Sequence, residues 1–156
     1  MGRNFFRRAS SPLKNFVYPP YYEDKQNFLK CLECEEKNCV SACEEGVIHL
    51  SKDGIPIIKF GKNGCTFCDE CALACDKDVL NIEFKKEKLN CTMIINPKTC
   101  IAWGNVVCSS CQDICPERTI LFKGLFNPVI DDEICKGCGF CISVCPADAI
   151  EILVGG

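Results

Sequence analysis

Sixteen of the seventeen cysteines in this 156-residue sequence fall into four groups of four. The groups are Cys31, Cys34, Cys39 and Cys43; Cys65, Cys68, Cys71 and Cys75; Cys100, Cys108, Cys111 and Cys115; and Cys135, Cys138, Cys141 and Cys145. The fourth group has the spacing C-x2-C-x2-C-x3-C followed by Pro146, which is the run that ligates 4Fe-4S clusters in bacterial ferredoxins. The second group has the same spacing, with Asp76 in place of the proline. Both groups therefore predict cluster ligands.

This spacing has a physical reason. The first three thiolates of such a run wrap one corner of a cuboidal cluster, whereas the fourth departs on a short helix and can reach a second cluster. Gly137 and Gly139 can adopt positive φ, which lets backbone amides turn toward the cluster sulfurs.

The first and third groups depart from the pattern. Four residues separate Cys34 from Cys39, and seven separate Cys100 from Cys108. Each insertion either forms a loop that returns the sulfur to the cluster or marks a lost or altered cluster. The sequence therefore predicts four 4Fe-4S clusters, or three if the group Cys100–Cys115 is empty.

Zinc and disulfides are the alternative uses of these cysteines. Zinc takes its ligands as two separated pairs, whereas here four cysteines crowd into each short run. The odd total of seventeen fits poorly with a fully paired disulfide framework. The remaining cysteine, Cys91, lies in a strand-like run and is predicted to be a buried, inert thiol, with a ligand or redox role as the alternative. His49 is predicted to be structural, and Trp103 to make ordinary packing contacts instead of covering a cluster.

The segments between the groups repeat along with the cysteines. Residues 47–50 and 55–58 read as two short strands around Asp53-Gly54, and residues 119–122 and 127–130 read the same way around Gly124. The stretches Cys71–Cys75 and Cys141–Cys145 should begin short helices. These elements predict an α+β fold of two tandem bacterial 2[4Fe-4S] ferredoxin-like modules, with short strands and helices packed around clusters. The predicted modules span residues 26–88 and 89–156.

The predicted domain at residues 1–25 is a basic, aromatic N-terminal arm. Its first 22 residues contain no acid and four basic residues, and the rest of the chain has 14 basic and 21 acidic residues, a net of −7. The basic and aromatic residues are Arg3, Arg7, Arg8, Lys14, Phe5, Phe6, Phe16, Tyr18, Tyr21 and Tyr22. Such an arm is either a solvated, partly disordered terminus or a docking segment for a partner protein.

The composition excludes several classes of function. No apolar run approaches the roughly 18 residues of a membrane span, and no apolar segment follows the N-terminus or Arg7-Arg8 as a secretory signal requires. A cytoplasmic location is therefore expected. The body is too acidic for a nucleic-acid footprint, and no catalytic dyad or phosphate loop is evident, so no substrate chemistry is expected. Because much of the apolar content is cysteine, the metal-free chain should be largely unfolded.

Over nearly its whole length, the sequence resembles NapF-type ferredoxins, which are accessory proteins of the periplasmic nitrate reductase system. The residues that carry the resemblance are Arg7-Arg8, Pro19-Pro20, Gly54-Ile55-Pro56 with Phe60, Cys65-Thr66-Phe67-Cys68, and the seven-residue gap before Cys108 to Asp113. The resemblance implies a cytoplasmic protein that binds the precursor of the catalytic nitrate reductase subunit before export. It also implies a role in maturation, either by supplying electrons or by helping to install that subunit's own cluster.

Three functions remain open from the sequence. The leading one is this redox and assembly role. The alternative is a generic electron-transfer subunit of a cytoplasmic oxidoreductase complex, and the third is a scaffold whose clusters only hold it folded.

The ligand sets follow if neighbouring groups share clusters and the fourth cysteine of each run crosses over. The predicted sets are Cys31, Cys34, Cys39 with Cys75; Cys65, Cys68, Cys71 with Cys43; Cys100, Cys108, Cys111 with Cys145; and Cys135, Cys138, Cys141 with Cys115. A nested arrangement, which pairs the first group with the fourth and the second with the third, is the alternative.

Overall fold

The computed structural model describes residues 12–155, which form short helices and short antiparallel strands. The α-helices are α1 (Asn38–Ser41), α2 (Glu70–Leu73), α3 (Ser110–Ile114) and α4 (Phe140–Val144), and two 3-10 helices span Lys25–Glu33 and Ile82–Phe84. The strands are β1 (Ile48–Leu50), β2 (Pro56–Ile58), β3 (Cys91–Ile95), β4 (Ile120–Lys123), β5 (Phe126–Ile130) and β6 (Ile150–Val154). None of the helices in this part of the chain is long and apolar enough to cross a membrane.

Two of the three sheets are the hairpins predicted between cysteine groups. In β1–β2, Ile48 lies opposite Ile58, and in β4–β5, Ile120 lies opposite Ile130. The turn of the first hairpin requires a left-handed residue, and Gly54 supplies it with φ of +82°. The predicted strand–turn–strand segments and the short helices α2 and α4 are confirmed, as is the α+β class.

The third sheet pairs the first and last strands of residues 91–154. In this sheet β3 runs antiparallel to β6, with Cys91 opposite Val154 and Ile95 opposite Ile150. The segment 70 residues before β6 forms the 3-10 helix Ile82–Phe84 instead of a strand. The Asn81 side chain begins this helix by accepting the Glu83 N–H at 2.9 Å. The two halves of the chain, residues 12–88 and 89–155, therefore repeat in their hairpins and differ in how their ends pack.

The residues just before the first cysteine group belong to the core. Tyr18 and Phe28 are fully buried, with ring centroids 4.5 Å apart, and Tyr22 packs edge-on against both. The backbone of Val17 forms a bridge with β2, where the Ile58 N–H donates to the Val17 carbonyl at 2.7 Å. Residues 17–22 therefore do not form a solvated, partly disordered terminus, which was one of the two alternatives for the arm, because large aromatic side chains gain most by leaving water. Residues 1–11, which carry the predicted arm's Arg3, Arg7, Arg8, Phe5 and Phe6, lie outside the described part of the chain.

Asn90 ties this N-terminal segment to the second half. Its side-chain oxygen accepts the Tyr18 N–H at 2.8 Å, and its amide nitrogen donates to the Phe16 carbonyl at 2.7 Å. Next to it, the buried Leu89 donates its N–H to the carbonyl of Lys136 at 3.0 Å. Residues 89–90 thus hold the N-terminal segment and the fourth cysteine group together.

Candidate metal centres

Four cavities of similar size are each lined by four cysteines. Their volumes, counting the open space at their mouths, are about 340, 360, 340 and 280 Å³ for cavities I to IV. The lining cysteines are Cys31, Cys34, Cys39 and Cys75 in cavity I; Cys43, Cys65, Cys68 and Cys71 in cavity II; Cys100, Cys108, Cys111 and Cys145 in cavity III; and Cys115, Cys135, Cys138 and Cys141 in cavity IV. Each cavity is therefore lined by the four cysteines of one ligand set that was predicted from the pairing of neighbouring groups.

The short helices explain why the fourth cysteine of each group crosses to the neighbouring cavity. In every group the third cysteine lies within the short helix, and the fourth, four residues later, follows the C-terminal end of that helix. Helix α1 packs against α2, and α3 packs against α4. Each helix therefore lies between two cavities: the third cysteine of its group lines one cavity, and the fourth cysteine lines the other.

Lys37 organises the irregular first group. It adopts a left-handed conformation, with φ of 51°, immediately before α1. Its ammonium group donates hydrogen bonds to the carbonyls of Cys31 and Gly54, the latter at 2.8 Å. These bonds fold the four-residue segment between Cys34 and Cys39 back, so that both cysteines line the same cavity.

The seven-residue gap between Cys100 and Cys108 in the third group folds into a series of turns. The Trp103 N–H donates to the Cys100 carbonyl at 3.1 Å, and the Val106 N–H donates to the Ile101 carbonyl at 3.1 Å. The indole N–H of Trp103 donates to the Pro128 carbonyl at 3.1 Å and fastens the loop to β5. The loop returns the chain so that Cys100 and Cys108 line one cavity.

The chemistry of the cysteines fits an iron–sulfur cluster. All seventeen are free of disulfide bonds. Burial raises the pKa of Cys31 and of Cys141 to about 12, and neighbouring thiols of the same cavity act in the same direction. Four neighbouring thiolates at these partly buried positions therefore need a cationic centre, and soft thiolate donors select iron–sulfur clusters or zinc. Among residues 12–155, no three His, Cys, Asp or Glu side chains are close enough together to hold a single metal ion.

Backbone amides already point at the crossing cysteines. The Leu80 N–H donates to the Cys75 sulfur at 3.4 Å, the Thr119 N–H to the Cys115 sulfur at 3.5 Å, and the Ala149 N–H to the Cys145 sulfur at 3.2 Å. Hydrogen bonds to sulfur favour its anionic form and are one of the means by which a protein tunes a cluster. The same device thus recurs in cavities I, III and IV.

Cys91 lies beside cavity IV without lining it. It is buried on β3, and its thiol lies 3.7 Å from the Gly137 carbonyl oxygen, within the loop that carries Cys135 and Cys138. Burial raises its pKa to about 12. The prediction of an inert thiol stays a prediction. His49 is exposed on β1, where the sequence placed it in a strand.

Sequence reasoning missed two residues that shape the cavities. Lys37 lies in what reads as a mere insertion, and Tyr21 in what reads as the arm. Tyr21 lines cavity II, and its buried hydroxyl accepts the Asp69 N–H at 3.0 Å just before α2. The sequence feature that could have indicated an ordered segment here is the adjacent Pro19-Pro20 pair, because prolines have no backbone N–H and favour an extended backbone.

The sequence is similar to a family profile and to several characterised proteins. The profile described as the LdpA Fe-S cluster-binding domain matches residues 105–154. The ferredoxin-type protein NapF of Escherichia coli (strain K12) is 32 % identical over 151 residues, which covers 93 % of this chain and 87 % of that protein. The ferredoxin-type protein NapF of Haemophilus influenzae is 31 % identical over 147 residues, covering 89 % and 81 %.

A component of a redox complex is also similar over a shorter span. This protein, a subunit of the ion-translocating oxidoreductase complex of Methanosarcina acetivorans, is 33 % identical over 119 residues, which covers 73 % of the present chain and 44 % of the subunit. The extent of the similarity to the two NapF proteins, together with the four cysteine-lined cavities, decides the family. The chain belongs to the family of ferredoxin-type NapF proteins, which makes it an iron–sulfur protein of the electron-transfer class.

Proposed function

We propose that the protein holds four 4Fe-4S clusters, one in each cavity, with the four lining cysteines of that cavity as ligands. The observation that carries the proposal is the recurrence of four cysteines around each of four cavities of similar size. Each cluster would supply one-electron chemistry. The thiols would hold the cluster, and the backbone amides that donate to the sulfurs of Cys75, Cys115 and Cys145 would stabilise negative charge there.

The electrons pass between protein partners, and the chain performs no substrate chemistry of its own. In this proposal the protein acts in the cytoplasm on the precursor of the catalytic subunit of a periplasmic nitrate reductase, before export, and assists its maturation. The support is the similarity to NapF proteins over 93 % of the chain. A second candidate is an electron-transfer subunit of a cytoplasmic oxidoreductase complex, which the similarity to the ion-translocating complex's subunit favours.

Iron and sulfide analysis of anaerobically purified protein tests the cluster count. Four clusters require about 16 iron atoms and 16 sulfides per chain, and a reduced sample should give the EPR signals of 4Fe-4S centres. A ratio near 12 would mean that one cavity is empty, with cavity III as the first suspect. Zinc as the dominant metal would contradict the proposal.

Double variants test which cysteines share a cluster. Cys108→Ala and Cys145→Ala should each lose about four iron atoms, and the double variant should lose no more, because both cysteines line cavity III. The matched pair Cys138→Ala with Cys145→Ala should lose about eight, since Cys138 lines cavity IV although it belongs to the same run. The nested arrangement predicts about eight for the first pair, because Cys145 would then serve the cluster of the first group.

Co-purification separates the two partner hypotheses. Tagged full-length protein from cells grown with nitrate should retain the nitrate reductase catalytic precursor with its export signal uncleaved. Recovery of a cytoplasmic oxidoreductase instead, in the absence of the precursor, would favour the second candidate.

A further inference from the structure

A single hydrogen bond joins cysteines of the two halves of the chain. The Cys65 N–H donates to the Cys138 carbonyl at 2.7 Å. Cys65 lines cavity II in the first half, and Cys138 lines cavity IV in the second. The backbone thus provides a short route, made of covalent bonds and one hydrogen bond, between two cavities whose lining cysteines are far apart in sequence.

Glycine makes this approach possible. A Cβ atom at Gly64 would lie 2.5 Å from the Cys138 carbonyl oxygen and 2.7 Å from the Phe140 nitrogen. Real Cβ atoms do not approach backbone so closely, so any side chain at this position would force the two loops apart. The contact is reciprocal, because a Cβ atom at Gly139 would collide with the ring of Phe60. Each half of the chain therefore has a glycine, Gly64 or Gly139, at the place where the two halves are in contact.

Within each half the cavities are adjacent as well. Helices α1 and α2 pack together between cavities I and II, and α3 and α4 pack together between cavities III and IV. The cavities therefore follow one another in the order I, II, IV, III.

We propose that the contact between Cys65 and Cys138 is the electron bridge between the two halves, and that Gly64 is the positioning residue that keeps it short. The inference rests on the proposed occupancy of the cavities by clusters. The step is a one-electron exchange between cavities II and IV: one centre is oxidised by one electron and the other is reduced by one. No bond breaks and no proton moves, and reduced and oxidised protein partners supply and remove the electron at other points of the chain of centres.

Gly64→Ala tests the bridge, with Gly61→Ala as the matched control. A Cβ atom at Gly61 meets no atom within 4 Å, and neither glycine has a positive φ, so neither variant is strained by a left-handed backbone and only Gly64→Ala disturbs the contact. Both full-length variants should retain the iron content of the unmodified protein. In Gly64→Ala, the magnetic coupling between reduced centres should weaken in the EPR spectrum, and electron equilibration after rapid partial reduction should slow several-fold. Gly61→Ala should match the unmodified protein in both measurements. Unchanged coupling and unchanged equilibration in fully loaded Gly64→Ala would overturn the proposal.

If Gly64→Ala does not acquire all of its iron–sulfur clusters, variants that each remove a ligand of one cavity provide a second test. Cys135→Ala, which removes a ligand of cavity IV, should abolish the couplings of that centre with both neighbours and leave cavity III magnetically isolated. Cys108→Ala, which removes a ligand of the terminal cavity III, should leave the coupling between cavities II and IV intact. Equal residual coupling in the two variants would contradict the linear order. A shortfall of iron in the unmodified protein would instead contradict the proposed function.

Discussion

Replacing Asn90 by alanine should loosen the N-terminal segment from the core. The Asn90 side chain accepts the Tyr18 N–H at 2.8 Å and donates to the Phe16 carbonyl at 2.7 Å, across more than seventy residues of sequence. Both bonds lie in a partly buried environment. Alanine removes them together and leaves the Tyr18 N–H without its acceptor.

The size of the effect follows from these two bonds. A typical intramolecular hydrogen bond contributes about 1 kcal/mol net, and a buried donor left unpaired costs about 1–3 kcal/mol. The free energy that holds the segment in place should therefore fall by roughly 2–4 kcal/mol. Since each 1.4 kcal/mol is a factor of ten, the segment should open about 30-fold to 700-fold more often.

Hydrogen exchange measured by mass spectrometry reads this opening at amides that Asn90 does not touch. The Ile58 N–H donates to the Val17 carbonyl and the Lys86 N–H donates to the Pro20 carbonyl, each at 2.7 Å. Peptides that contain these two amides should exchange faster in Asn90→Ala, because both lose their acceptor only when the segment detaches.

The matched control is Asn81→Ala, which also removes two side-chain hydrogen bonds. Those bonds join Asn81 to Asp78 and Glu83, within three residues and exposed to water. This variant should leave exchange at Ile58 close to that of the unmodified protein. Equal protection of Ile58 in the Asn90 and Asn81 variants would refute the assignment of Asn90 as the tie.

Three further predictions concern the cysteine-lined cavities. Gly137→Ala should lower the thermal unfolding midpoint more than Gly124→Ala, by the equivalent of about 1–3 kcal/mol of stability. A Cβ atom at Gly137 would lie 2.9 Å from the Cys91 sulfur, whereas Gly124 has a similarly positive φ and faces open space. Equal shifts of the two midpoints would contradict this. Cys91→Ala should keep the full iron content and lose about 1 kcal/mol of stability, and the loss of four iron atoms would make Cys91 a ligand. In redox titrations, Lys37→Gln should lower the reduction potential of the centre in cavity I and Asp76→Asn should raise it, because both charged side chains line that cavity. Each shift should be on the order of 40 mV, which corresponds to about 1 kcal/mol of charge interaction for one electron. Shifts of the same sign would refute the electrostatic reasoning.

Local pattern was sufficient to predict the hairpins, the short helices and the groups of cysteines. The two strand–turn–strand segments, in which the structure pairs Ile48 with Ile58 and Ile120 with Ile130, follow from two apolar runs around a glycine turn, which is information contained in about a dozen residues. The helices after Asp69 and Gly139 likewise follow from the cysteine run itself. Such features depend little on distant parts of the chain.

Features that depend on distant contacts were not predictable in this way. Tyr18 and Tyr22 read as part of an arm because basic residues precede them, yet their rings pack on Phe28 and are buried. Nothing adjacent to Gly64 in sequence reveals that its partner is Cys138, since the contact spans more than seventy residues. The role of Lys37 depends on the carbonyl of Gly54, which belongs to another turn.

The pairing of β3 with β6 sets an order of events during synthesis of the chain. Cavities I and II are lined only by residues up to Leu80, whereas cavity III requires Cys145 and β3 finds its partner only at Ile150–Val154. At about 5–20 residues per second, roughly 4–14 s separate the emergence of Cys75 from that of Cys145. During this interval the first two cavities can acquire metal on the ribosome while the edge of β3 stays unpaired. An unpaired strand edge is a site for association with other chains, so a shortage of iron at this stage should expose the second half, more than the first, to aggregation.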